Sequence, residues 1–196
     1  NLSLGYSFDP EWFAAGQSPL CVEVDRLVRS GVCVVVAAGN GGYGQVNTSG
    51  GRTERASHLG TIADPGNALL AITVGSAHRD MPHTYGVSYF SAKGPTSDGR
   101  QKPDLVAPGE RIISCARMDD AHRAAKAAPF RSDSGTSMAA PHVSGAIAAF
   151  LSVRGEFKGR PEAVKEIFLN SATDLKRRSE FQGAGLIDVM RALQSV

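Results

Sequence analysis

Apolar positions along this chain fall into two patterns, short unbroken runs and helical repeats. Residues 32–37 read Val-Cys-Val-Val-Val-Ala with no polar position, which predicts a strand buried on both faces. Residues 69–74, Leu-Leu-Ala-Ile-Thr-Val, predict a second. Shorter strands are predicted over 87–90, 105–107 and 111–115, and residues 1–4 read as the end of another. Between them lies a predicted helix over 19–30, with Leu20, Val24, Leu27 and Val28 on its apolar face and Gly31 as its stop. Further helices are predicted over Thr136–Val153, 160–171 and 186–193. The Gly-rich polar stretch 41–60 reads as a long surface loop, and 118–131 as a loop or short exposed helix. Strand, helix, strand without a hairpin signal predicts an α/β fold around a parallel sheet.

Composition narrows this only slightly. The 196 residues suit one domain with a sizeable core. A net charge of +2, with scattered Lys and Arg, gives no case for nucleic acid or a membrane surface as a partner. No unbroken apolar run reaches the ~20 residues that span a bilayer. The chain opens on Asn1, so its first residue reads as a processed or cut end. Its compartment stays open, cytoplasmic or secreted. Three cysteines, Cys21, Cys33 and Cys115, show no CxxC and no metal-ligand spacing. They read as unpaired thiols, which fits a reducing compartment without excluding export. No cofactor is expected.

Candidate chemistry sits at two places. In Gly135-Thr136-Ser137-Met138-Ala139-Ala140-Pro141-His142 a short turn delivers a serine to the start of an apolar helix. Unpaired N–H groups and the positive end of the helix dipole favour negative charge developing there. By spacing alone the same string is a helix start with small residues for close packing. In Ala37-Ala38-Gly39-Asn40-Gly41 an amide side chain follows the carboxyl end of the predicted valine strand, where α/β proteins bind ligands. Alone, Asn-Gly is a turn pair. A Gly-x-Ser-x-Gly hydrolase elbow is excluded, because the residue two after Ser137 is Ala139.

Together these segments resemble the subtilisin-like serine proteases, the subtilases. Supporting strings are Ser3-Leu4-Gly5, Asp64-Pro65-Gly66, Ser91 to Pro95, Lys102-Pro103-Asp104-Leu105-Val106-Ala107-Pro108-Gly109 and Gly183-Ala184-Gly185-Leu186-Ile187-Asp188. The resemblance implies a subtilisin-like parallel sheet with helices on both faces. It implies that residues 1–196 are the C-terminal portion of a single peptidase domain, the first half of the fold lying upstream of Asn1. It implies Ser137 as nucleophile and Asn40, with the Ser137 N–H, as oxyanion donors. Ser3, Leu4 and Gly5 would form a strand that pairs with an extended peptide substrate. Ala37, Ala38 and Gly39 would line the P1 pocket, and their small size would admit a large side chain. By analogy Pro65 follows a cis bond. Some subtilases bind a weak cation near the positions of 66–71 and Asp104, but Lys102 puts a positive charge there, so no metal is expected.

The family's catalytic Asp and His segments have no counterpart among these residues. Of His58, His78, His83, His122 and His142, only His142 lies near Ser137 in sequence, and five residues along a helix places it about 140° around the axis. The acid–base pair is therefore expected from upstream residues, and the isolated chain is expected to be inactive. Expected partners are a peptide or protein substrate, and either the N-terminal half of the same protease or a second copy pairing along an exposed edge near residues 1–4. The alternative is a non-catalytic subtilase-fold module that binds an extended peptide or serves as a scaffold.

Overall fold

Strand β1 (Val35–Ala37) is the reference line of the fold, in a computed structural model that describes residues 1–47, 51–116 and 128–196. It pairs in parallel with β4 (Ile72–Ala77), which pairs in parallel with β5 (Leu105–Pro108). Leu2 adds a single parallel bridge to Val36 on the other side of β1, so residues 1–4 are one rung of the sheet rather than a strand.

Side chains alternate across β1, and that alternation makes two cores. Val35 and Ala37 join Ile72, Val74, Leu105 and Ala107 under helix α3 (Thr136–Val153), which contributes Ala139, Ala140, Val143, Ile147 and Phe150. Val34 and Val36 face the opposite way and pack on Cys21, Val24 and Val28 of helix α1 (Pro19–Arg29). Helices thus cover both faces, as the unbroken valine run predicts. Removing the fully buried Phe150 side chain would cost about 3–5 kcal/mol. Helix α4 (Pro161–Ser171) packs Val164 and Phe168 into the same core as α3, and α6 (Val189–Gln194) adds Ala192. Two single-turn helices, α2 (Pro82–Tyr85) and α5 (Ser179–Gln182), lie in the connections.

Several expectations are corrected. Helix α1 buries Cys21, Val24, Asp25 and Val28, whereas Leu27 is exposed. Asp25 lies inside because its carboxylate accepts from the N–H groups of Leu69 and Leu70. Those two residues are therefore a loop, and β4 starts later than the apolar run does. Residues 87–90 make only one bridge, Val87 to Ala77. The stretch 41–60 is largely an antiparallel ribbon, β2 (Tyr43–Asn47) with β3 (Thr53–Ser57). A second hairpin pairs β6 (Ile112–Cys115) with β7 (Phe130–Asp133). The predicted loop or helix over 118–131, and His122 within it, fall mostly outside the described residues. Helix α3, 18 residues with a mean hydropathy of 1.2, is long and apolar enough to cross a membrane, which the unbroken-run criterion does not show. Here its apolar side packs on the sheet. The three cysteines are unpaired, and burial pushes the Cys21 thiol up to about 12.

One ionic cluster ties β4 to β5. Lys102 Nζ, buried, donates to Asp104 (2.7 Å), Thr73 Oγ1 (2.7 Å) and the Ala71 carbonyl (3.1 Å). Lys165 of α4 takes the other Asp104 oxygen at 3.0 Å and the same carbonyl at 2.8 Å. Burial pushes the Asp104 carboxyl up, but Lys102, Lys165 and the Thr73 N–H outweigh it and hold it below the usual carboxylate value. The Asp64-Pro65 peptide is cis, as are Gly94-Pro95 and Lys102-Pro103.

Candidate active site

Parallel strands deliver their carboxyl ends to one rim, and the candidate residues collect there. Asn40 comes three residues after the end of β1. Gly39, with φ +104°, makes the turn between them, and a Cβ on it would lie 2.9 Å from the Ala63 Cβ. Ser137 is the second residue of α3, half-buried at the helix N-terminus. The two segments are joined across 96 positions: Asn40 Oδ1 accepts from the Thr136 N–H at 2.9 Å and from the Thr136 hydroxyl at 3.1 Å. Thr136 Oγ1 in turn accepts from the Gly39 N–H at 3.1 Å. A backbone N–H needs an oxygen opposite it, which sets the orientation of the Asn40 amide. Among the described residues its Nδ2 has no protein partner, and Asn40 lines the same cleft as Ser137.

The cleft has a volume of about 490 Å³. One wall is Leu4 to Phe8, another is Ala37, Gly39, Asn40 and Gly41, and the third is residues 60–63. An antiparallel bridge between Tyr6 and Asp64 closes the first wall onto the third. Of the sequence-predicted residues, Leu4, Gly5, Ala37, Gly39, Asn40 and Ser137 line it. Ala38 points away and is buried against Ile62 and Ala92. Ser3 lies beside the cleft, where its hydroxyl donates to the Ser137 carbonyl at 2.8 Å. The sequence reading missed Thr136, Tyr6 and residues 60–63. Thr136 stood inside the serine string but carried no separate signal. Residues 60–63 contribute mainly backbone and small side chains, which no residue-type pattern marks.

The Ser137 hydroxyl donates to the Ser3 carbonyl at 3.3 Å, a long bond for two oxygens. Among the described residues no histidine is bonded to it. His142 Nδ1 lies 2.8 Å from the Met138 carbonyl on its own helix. His78 packs at a tilt against Tyr85, with ring centroids 4.7 Å apart. The rim can nevertheless present two donors, Asn40 Nδ2 and a helix N-terminal N–H, to an oxygen placed above Ser137.

A family model for the subtilases matches residues 1–185. The chain belongs to the subtilase family. Among its relatives, pyrolysin of Pyrococcus furiosus is 33% identical over 212 residues, covering 90% of this subtilase chain and 14% of pyrolysin. Serine protease AprX of Bacillus subtilis is 31% identical over 181 residues, covering 88% of this chain and 37% of AprX. This chain therefore spans well under half of either relative. Two solved structures share the subtilase fold seen here. The prenylagaramide maturation protease PagA superposes with a TM-score of 0.71 at 24% identity, over 99% of this chain and 60% of its own. The patellamide maturation protease PatA gives 0.68 at 26% identity, over 100% and 61%. The α/β architecture with a parallel sheet is thus the subtilase architecture.

Proposed function

We propose that these residues carry the nucleophile and oxyanion-stabilising part of a serine endopeptidase, and that the Asp and His come from residues outside the 196. The observation that carries this reading is the Asn40–Thr136 link. It engages the Asn40 Oδ1 and leaves Nδ2 without a partner among the described residues, in a residue that lines the same cleft as Ser137.

A substrate strand enters beside Leu4 and Gly5, and its P1 side chain fills the cleft between residues 37–41 and 60–63. A base withdraws the Ser137 proton as Oγ attacks the P1 carbonyl carbon. Negative charge passes to the carbonyl oxygen, which accepts from Asn40 Nδ2 and the Ser137 N–H. The C–N bond then breaks, the amine leaves with the proton, and water releases the acyl group from Ser137. One such amide donor is worth about 2.7–4 kcal/mol in the transition state. Among the described residues the Ser137 hydroxyl meets a carbonyl acceptor at 3.3 Å, which cannot serve as a base at neutral pH, and the isolated chain is expected to be inactive.

The test is fluorophosphonate labelling, with the modified residue located by mass spectrometry. In the full-length protein Ser137 is labelled and Ser137→Ala abolishes the label. The folded 196-residue chain stays unlabelled. Full-length protein that binds extended peptides but never labels would instead be the non-catalytic peptide-binding module.

A further inference from the structure

The loop between β4 and β5 buries a lysine that the chemistry above does not use. Lys93 is 1% exposed. Its ammonium donates to the carbonyls of Gly42 (2.8 Å), Tyr89 (2.9 Å) and Ser91 (3.1 Å), and lies 5.2 Å from the centre of the Phe181 ring. Among the described residues no carboxylate pairs with it. Burying a cation without a counter-charge is costly, and burial pushes its pKa down. A methionine of similar length would fill the space without that cost, so the charge is held for what it grips.

What it grips is the segment that presents Asn40. Gly42 follows Asn40 by two residues. Its carbonyl receives Lys93 Nζ, the His58 N–H (3.0 Å) and the Ser57 hydroxyl (3.2 Å), while its own N–H donates to Phe90 O (2.9 Å). On the other side of Asn40, the Ala92 N–H donates to Gly39 O at 2.9 Å. Asn40 and Gly41 are thus slung between two points fixed to residues 90–93. Approach is so close that a Cβ on Gly42 would lie 1.8 Å from Ser91 O and 2.5 Å from Lys93 Nζ. The facing wall hangs from the same residue, because Thr61 N donates to Lys93 O (2.8 Å) and Lys93 N to Thr61 Oγ1 (3.0 Å).

We propose that Lys93 is a positioning residue for the oxyanion donor: through Gly42 it holds the Asn40 amide at the height where the developing oxyanion forms. This rests on the peptidase reading above and adds to it. A residue that only supports the scaffold lowers stability and costs the same activity whether or not Asn40 is present. A residue that acts through Asn40 loses its effect once that amide is gone.

The experiment is a double-mutant cycle in the full-length protein, reading kcat and KM on a chromogenic peptide with a large apolar P1 residue. Lys93→Met is expected to lower kcat roughly tenfold or more with little change in KM. In the Asn40→Ala background the same substitution should change kcat by less than about twofold. Equal costs in both backgrounds overturn the proposal while leaving the peptidase reading intact. A wild-type protein with no turnover overturns both. If Lys93→Met does not fold, Lys93→Arg carries the cycle. It keeps the charge but spreads the donors of one ammonium over a planar fork, and the same coupling is expected.

Discussion

The Ser3 hydroxyl donates to the carbonyl of Ser137, the carbonyl that Pro141 leaves without a helical partner. A helical carbonyl normally receives the N–H four residues on, and proline has none. Residue 3 therefore completes the first turn of α3, at the proposed nucleophile. Ser3→Ala should cost only about 0.5–1.5 kcal/mol, read by urea denaturation of the 196-residue chain. Fluorophosphonate labelling of full-length protein should persist, since water can reach the exposed carbonyl. Loss of labelling without loss of fold would give Ser3 a direct catalytic part.

The Asn40 amide receives two donors from Thr136, and they differ in importance. Asn40→Ala in full-length protein should lower kcat about 10²–10³-fold with KM little changed. Thr136→Val keeps the backbone donor and loses only the hydroxyl, so its effect on kcat should be smaller, about tenfold. Equal losses would mean that the hydroxyl, not the N–H, orients the amide.

Cleft size is set by residues with little side chain, Gly39, Gly41, Gly60 and Ala63 among them. Peptides with Phe or Leu at P1 should be cleaved faster than the same peptides with Gly or Ala. Ala63→Leu should reverse that order by filling the space. Measurement of kcat/KM for both substrate pairs decides it, and an unchanged order would place P1 elsewhere.

Asp104 should shape the acid limb of stability. Lys102 and Lys165 hold its carboxyl below the usual value of 3.8 in the folded state, so the unfolded chain takes up the proton first. Its contribution is present above the unfolded value and is lost as pH falls through the folded one. Urea unfolding free energies should therefore decline as pH drops below 3.8. Asp104→Asn should flatten part of that decline. At neutral pH it should cost about 3–5 kcal/mol, because two ammonium groups then lose their carboxylate.

Legibility in the sequence followed apolar burial. Val34 to Ala37 are buried on both faces of the sheet, and an unbroken apolar run states this directly. The β2–β3 ribbon was not legible, because backbone pairing holds it together and its residues, such as Gln45, Thr53 and Arg55, stay exposed. Asp25 and Lys93 are buried polar residues held by backbone groups, Leu69 and Leu70 for the first and Gly42 among others for the second, so neighbouring residue types cannot announce them. Ser137 and Asn40 were found by resemblance of their strings. The Thr136 link that orients Asn40 appears only once β1 and α3 lie side by side.

Order within the sheet also bears on when the site comes into being. Every neighbour in it is parallel, so each pairing waits for a crossover to close, and such long-range closures are the slow steps of folding. Asn40 and Thr136 meet only after β4 and β5 have been laid between them in sequence. A half-folded chain therefore holds Ser137 and Asn40 but no cleft between them. The same topology makes assembly of the cleft the last consequence of completing the sheet.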